Sequence, residues 1–93
     1  MDQLAVSLAG HDKGKLYAIV REEGNMVFLA DGEAKKLDQP KRKNRLHVRR
    51  IVHLPDQIAD ALGQVRQDSD LVYVLRSCKA LLNHENVQEE DQE

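Results

Sequence analysis

The chain has 93 residues, 41% hydrophobic and 32% charged, which suits one small soluble domain and argues against a disordered chain. Its only cysteine, Cys78, allows neither an internal disulfide nor a cysteine-based metal site, and fits a reducing compartment. Met1–Ala9 lacks the features of a secretory signal, and no apolar run approaches the roughly 20 residues of a membrane helix. The expected address is therefore the cytoplasm, with no membrane partner. The net charge of −2 conceals a split. Residues 1–54 carry 11 Lys/Arg and 7 Asp/Glu, and residues 55–93 carry 3 and 9. The front half can approach a polyanion while the acidic rear faces solvent.

The front half reads as β-structure. A short apolar stretch, Gln3–Leu8, precedes the turn Ala9-Gly10-His11-Asp12-Lys13-Gly14. Lys15–Arg21 alternates, with Leu16, Ala18 and Val20 on one side and Tyr17 and Ile19 on the other. Glu22-Glu23-Gly24-Asn25 is short enough to close a hairpin onto a strand at Met26–Ala30. Asp31-Gly32 marks a third turn, and Glu33–Leu37 is expected to form a short strand. Turn signals at about ten-residue spacing indicate a small barrel or meander. Asp38–Asn44 holds Pro40 and no apolar residue, so it is expected to be an exposed loop. Leu46–Val52 is expected to be the closing strand.

The rear half changes period. Pro55 and Asp56 suit a helix start. Ile58, Ala61, Leu62 and Val65 share one helical face, and Gly63 weakens that helix. Asp68-Ser69-Asp70 offers caps for a second helix. Leu71, Val74, Leu75, Cys78, Leu81 and Leu82 line its apolar face, and its end is expected near Asn83 or His84. Cys78 reads as a buried structural thiol and Tyr73 as a rim or core residue. Residues 85–93 are acidic and almost free of apolar side chains, and are expected to form a disordered tail.

The strongest chemical signal is basic. Lys35, Lys36, Lys41, Arg42, Lys43, Arg45, Arg49 and Arg50 fall within one short stretch that contains a single acid, Asp38. Such density repels itself unless anions are near, and lysines or arginines against phosphates release counterions. Lys13 and Lys15 flank Gly14 in the first turn, where a glycine backbone can bring amides and ammonium groups toward a phosphate. A nucleotide-binding P-loop is excluded, because Leu16 stands where Ser or Thr would follow Lys15. The four histidines are scattered without metal-ligand spacing, so no metal is expected. Asp56 and Asp60 are an ordinary surface pair. No triad, metal cluster or cofactor motif is present, so neither an enzyme nor a cofactor is expected.

Leu4–Ala30, and within it Ser7-Leu8-Ala9-Gly10-His11-Asp12-Lys13-Gly14-Lys15 with its central Gly14, resembles a KOW motif. Phe28-Leu29-Ala30-Asp31-Gly32 and the segment from Lys35-Lys36 to Lys43 extend the likeness over about residues 4–54. They resemble bacterial KOW-domain RNA-binding proteins, similar to a large-subunit ribosomal protein family of archaea and eukaryotes. The resemblance implies an SH3-like small β-barrel over residues 1–54, and with the two short α-helices that the residue pattern predicts over 55–84 the expected fold is mainly β with C-terminal helices. It also implies RNA as the partner, ribosomal RNA first and ribosomal proteins beside it. The RNA-facing residues would be Lys13, Gly14, Lys15, Lys35, Lys36, Lys41, Arg42, Lys43, Arg45, Arg49 and Arg50. With only Tyr17, Phe28 and Tyr73 as aromatics, recognition is expected to rest on phosphate and shape, with little base readout. The alternative is a protein-interaction adaptor that uses the barrel or the helical face Leu71–Leu82.

Overall fold

A computed structural model describes the backbone of residues 1–91 and the side chains of residues 1–81. Five strands come first: β1 (Leu4–Ser7), β2 (Leu16–Glu23), β3 (Met26–Ala30), β4 (Lys41–Asn44) and β5 (Val48–Arg50). A 3-10 turn at Arg45–His47 joins β4 to β5, and two helices follow, α1 (Asp56–Gly63) and α2 (Asp68–Asp91). All strand pairs are antiparallel, in the order β4-β3-β2-β1-β5.

Strand alternation divides the sheet's side chains between two cores. Leu4, Leu16, Ala18 and Ala30 point to one face, where Ile58 and Leu62 of α1 and Leu71, Val74, Leu75 and Cys78 of α2 cover them. Ala5, Tyr17, Ile19, Val27, Leu29 and Val48 fill a second core on the other face. The second core requires the sheet to curl. β5 and β3 are separated by two strands, about 14 Å apart if flat, yet Val48 packs with Val27 and Leu29. β4 and β5 do not pair with each other, so the curled sheet stays open along those edges. Val20 has no register partner and marks a bulge between Ile19 and Arg21, which adds twist to β2.

Helix positions follow local chemistry. Pro55 precedes α1, whose last residue is Gly63. Gly63 thus ends that helix rather than lying within it. At the start of α2 the Asp70 carboxylate accepts from the backbone N–H groups of Arg66 and Gln67, satisfying donors that the helix leaves free. Asp68 is engaged elsewhere: its Oδ1 accepts from the Leu37 N–H at 2.8 Å. That bond ties the 31–37 segment to α2. Gly32 makes the tie possible, since with φ +84° it lies so close to α2 that a Cβ would come within 2.5 Å of the Asp68 carbonyl oxygen.

Several expectations are corrected. Lys41–Asn44 is strand β4 and not part of an exposed loop, because Lys41 and Lys43 both find the Asp12 carboxylate as a partner. Glu33–Leu37 is not a strand, because the Asp31 carboxylate takes the N–H groups of Glu33 and Lys35 and bends the chain. Leu46 and His47 belong to the 3-10 turn, which shortens the closing strand to Val48–Arg50. The second helix is not short. It passes Asn83 and His84 and reaches Asp91, with no Pro or Gly to stop it. The backbone of the expected tail is therefore helical up to Asp91, while its side chains lie outside the described residues. Tyr73 is 71% exposed and belongs to neither core.

Candidate nucleic-acid interface

The β1–β2 loop is built around Asp12. The Gly14 N–H donates to the Ser7 carbonyl at 2.8 Å, and Lys15 N–H to the Asp12 carbonyl at 2.9 Å, which closes the loop over the end of the sheet. Gly10 and Gly14 both sit at positive φ, +87° and +88°. Each oxygen of the Asp12 carboxylate accepts two bonds. Oδ1 accepts from Ser7 Oγ and Lys43 Nζ, both at 2.8 Å. Oδ2 accepts from Lys41 Nζ at 2.8 Å and Tyr17 Oη at 2.9 Å. Burial by itself would raise the Asp12 carboxyl. The bonds from Lys41, Lys43, Ser7 and Tyr17 outweigh it and hold the group far below the usual carboxylate range. Burial, with the adjoining Asp12 charge and bond, pushes the Tyr17 hydroxyl well up.

Lys43 is committed to the interior. Its side chain is 9% exposed, and its ammonium donates to Ser7 Oγ at 2.6 Å, the Ala9 carbonyl at 2.7 Å and Asp12 Oδ1 at 2.8 Å. Three acceptors use all three of its protons, leaving none for an external phosphate. Lys41 shares Asp12 but stays 32% exposed. Lys15 pairs with Asp31 at 2.7 Å and is 33% exposed. Burial acts to raise the Asp31 carboxyl too, and Lys15 with the N–H groups of Lys35 and Glu33 brings it below its ordinary value.

A second cluster bridges the opening of the curl. Glu22 of β2 accepts from Arg45 at 3.0 Å and forms an ion pair with Arg50 of β5, whose guanidinium also donates to Gln3. Arg50 foremost, then Arg45, holds the Glu22 carboxyl below its ordinary value. The Arg45 N–H donates to the Asn25 carbonyl at 2.8 Å, so the 3-10 turn is tied to the β2–β3 hairpin.

The expected RNA-facing residues therefore separate. Lys15, Lys41, Lys43, Arg45 and Arg50 hold internal carboxylates. Lys13, Lys36, Arg42 and Arg49 are exposed, Lys35 is half-buried, and none of these five forms an ion pair among the described residues. Lys13 flanks Asp12 in the chain, while Lys35 and Lys36 follow the Asp31 turn. The structure thus sets Lys41 on Asp12 with Lys13 beside it in the chain, and Lys15 on Asp31 with Lys35 and Lys36 just after that turn. Arg42 and Arg49 lie apart, on β4 and β5.

Sequence reasoning missed the acids that organise this surface: Asp12, Glu22 and Asp31. Asp12 was legible as a lone carboxylate between two glycines in a basic turn, but its lysine partners lie 29 and 31 positions away. Among the described residues, no group of three or more His, Cys, Asp or Glu side chains could hold a metal ion. No helix there is long and apolar enough to cross a membrane. Comparison of the sequence with protein-family models returns no match, and no curated protein matches it.

Proposed function

We propose that this chain is a KOW-type RNA-binding module that holds structured RNA, ribosomal RNA foremost, through its phosphates. The lysine cluster around Asp12 and Asp31 carries the reading. Lysines there outnumber carboxylates, and both carboxylates have their bonds satisfied within the protein. Lys13 and Lys36 are exposed and form no ion pair among the described residues, which supports their meeting a phosphate backbone. The strand order supports the SH3-like part of the proposal. β5 returns beside β1, the sheet curls around its own core, and a 3-10 turn spans the open side. The basic stretch is then a rim of partly committed cations rather than a loose charged loop.

The test is retention of the full chain on an immobilised structured RNA, with wild type compared against K13E/K36E. Both lysines are exposed and without an ion pair among the described residues, so the double variant should fold normally and elute at much lower salt. Equal elution of both proteins would remove the lysine cluster from the interface. Failure of wild type to bind any RNA would hand the lead to the adaptor reading.

A further inference from the structure

The face of β2–β3–β4 turned away from the curl carries a feature that the lysine cluster does not explain. Phe28 of β3 stands opposite Arg21 of β2 and opposite Arg42 of β4, so the three side chains form one row across three neighbouring strands. The next row is Glu23, Met26 and Asn44. This end of the hairpin lies outside the patch that the helices cover, which centres on Leu4, Leu16, Ala18 and Ala30.

The two arginines differ in state. The Arg21 guanidinium carbon lies 3.9 Å from the Phe28 ring centroid, and its Nε donates to Glu23 Oε2 at 2.7 Å. Glu23 thus fixes Arg21 over one side of the ring. Arg42 is exposed and has no ion pair among the described residues. Between it and the ring is a cleft of about 330 Å³ lined by Glu23, Met26, Phe28 and Arg42. An aromatic ring, a thioether and an unengaged guanidinium, beside a Glu23 carboxylate already paired with Arg21, match the chemistry of a nucleotide: an apolar, polarisable wall for the base and a cation for its phosphate.

We propose that this cleft seats one unpaired RNA base against Phe28 and Met26, with Arg42 on the adjoining phosphate. The inference rests on the RNA-binding reading and deepens it. The lysine rim supplies affinity for any phosphate backbone, and the Phe28 cleft favours RNA that presents an unstacked base, such as a loop or bulge. Glu23 is a positioning residue, acting through Arg21.

The test uses the full chain and two RNAs: a stem-loop with 2-aminopurine in its loop, and a fully paired duplex of equal length. Wild type should bind both and change the 2-aminopurine fluorescence. F28L keeps the apolar bulk of the strand but removes the ring. It should weaken stem-loop binding about tenfold, as expected for one lost stacking contact, while duplex binding stays the same. F28W should retain the stem-loop preference, and R42Q should reduce it. An unaltered loop fluorescence with wild type would overturn the proposal even if F28L failed to fold. So would equal losses on both RNAs with F28L. Binding of neither RNA by wild type would instead overturn the phosphate reading on which the proposal stands.

Discussion

Lys43 and Asp12 meet at 2.8 Å across the curl, Lys43 on the edge strand β4 and Asp12 in the loop after the interior strand β1. Each side chain is about one-tenth exposed, 9% for Lys43 and 10% for Asp12. Lys43, one of the lysines expected to face RNA, is instead a cross-brace of the fold. Removing it leaves a mostly buried carboxylate short of a partner, along with Ser7 Oγ and the Ala9 carbonyl. K43A should destabilise the chain by about 3 kcal/mol in urea unfolding, a large share of the stability of a domain this size. A loss below about 1 kcal/mol would show that the brace is dispensable.

Stability should depend on acid through the same groups. Asp12 and Asp31 both titrate below their ordinary values in the folded chain. A depressed folded value means that the unfolded chain binds protons first, at about pH 4. The stabilisation is therefore complete above that pH and disappears as pH falls from there through the folded values. Thermal melts should be flat from neutral pH to about pH 5 and drop steeply below pH 4. D12N should flatten that drop while lowering stability at neutral pH.

Two glycines at similar φ should respond differently to alanine. Gly14, at φ +88°, has nothing within 4 Å of the position a Cβ would take, so G14A should cost only the conformational strain, about 1 kcal/mol. Gly32, at φ +84°, would place its Cβ 2.5 Å from the Asp68 carbonyl oxygen and 2.9 Å from Val72 Cγ2. G32A must also push the 31–37 segment off α2, so its cost should be about 3 kcal/mol or more, read from the same melts. Equal effects would mean that the Gly32–α2 contact does not matter.

The parts of this fold that were legible from sequence are those set by local pattern. The alternation of Leu16, Ala18 and Val20 against Tyr17 and Ile19 places each residue in its observed core. The spacing of Ile58, Ala61 and Leu62 gives the packed face of α1 in the same way, while Val65 packs on the same core from beyond the end of the helix. Cys78 lies buried in the helix-covered core as expected. What escaped was set by contacts distant in sequence. β4 looked like a loop because its inward residues are lysines, and only the far-off Asp12 makes an inward lysine tolerable. Glu33–Leu37 looked like a strand because the sequence does not show that Asp31 will take its backbone donors. Counting aromatics hid the Phe28 cleft, since the number of rings says nothing about which cations stand beside one of them.

The central claim is that cations without internal partners, and not the whole basic stretch, bind RNA phosphates. The most direct measurement is the affinity of the full chain for a structured RNA across a salt series, for wild type, K13E/K36E and K43M. For wild type log K should fall linearly with log salt, and K13E/K36E should weaken binding and reduce the slope by about one to two units. K43M, measured where it remains folded, should keep the wild-type slope, because Lys43 has no proton left to offer. A K13E/K36E slope equal to that of wild type, or a K43M slope reduced as much as that of the surface variant, would contradict it.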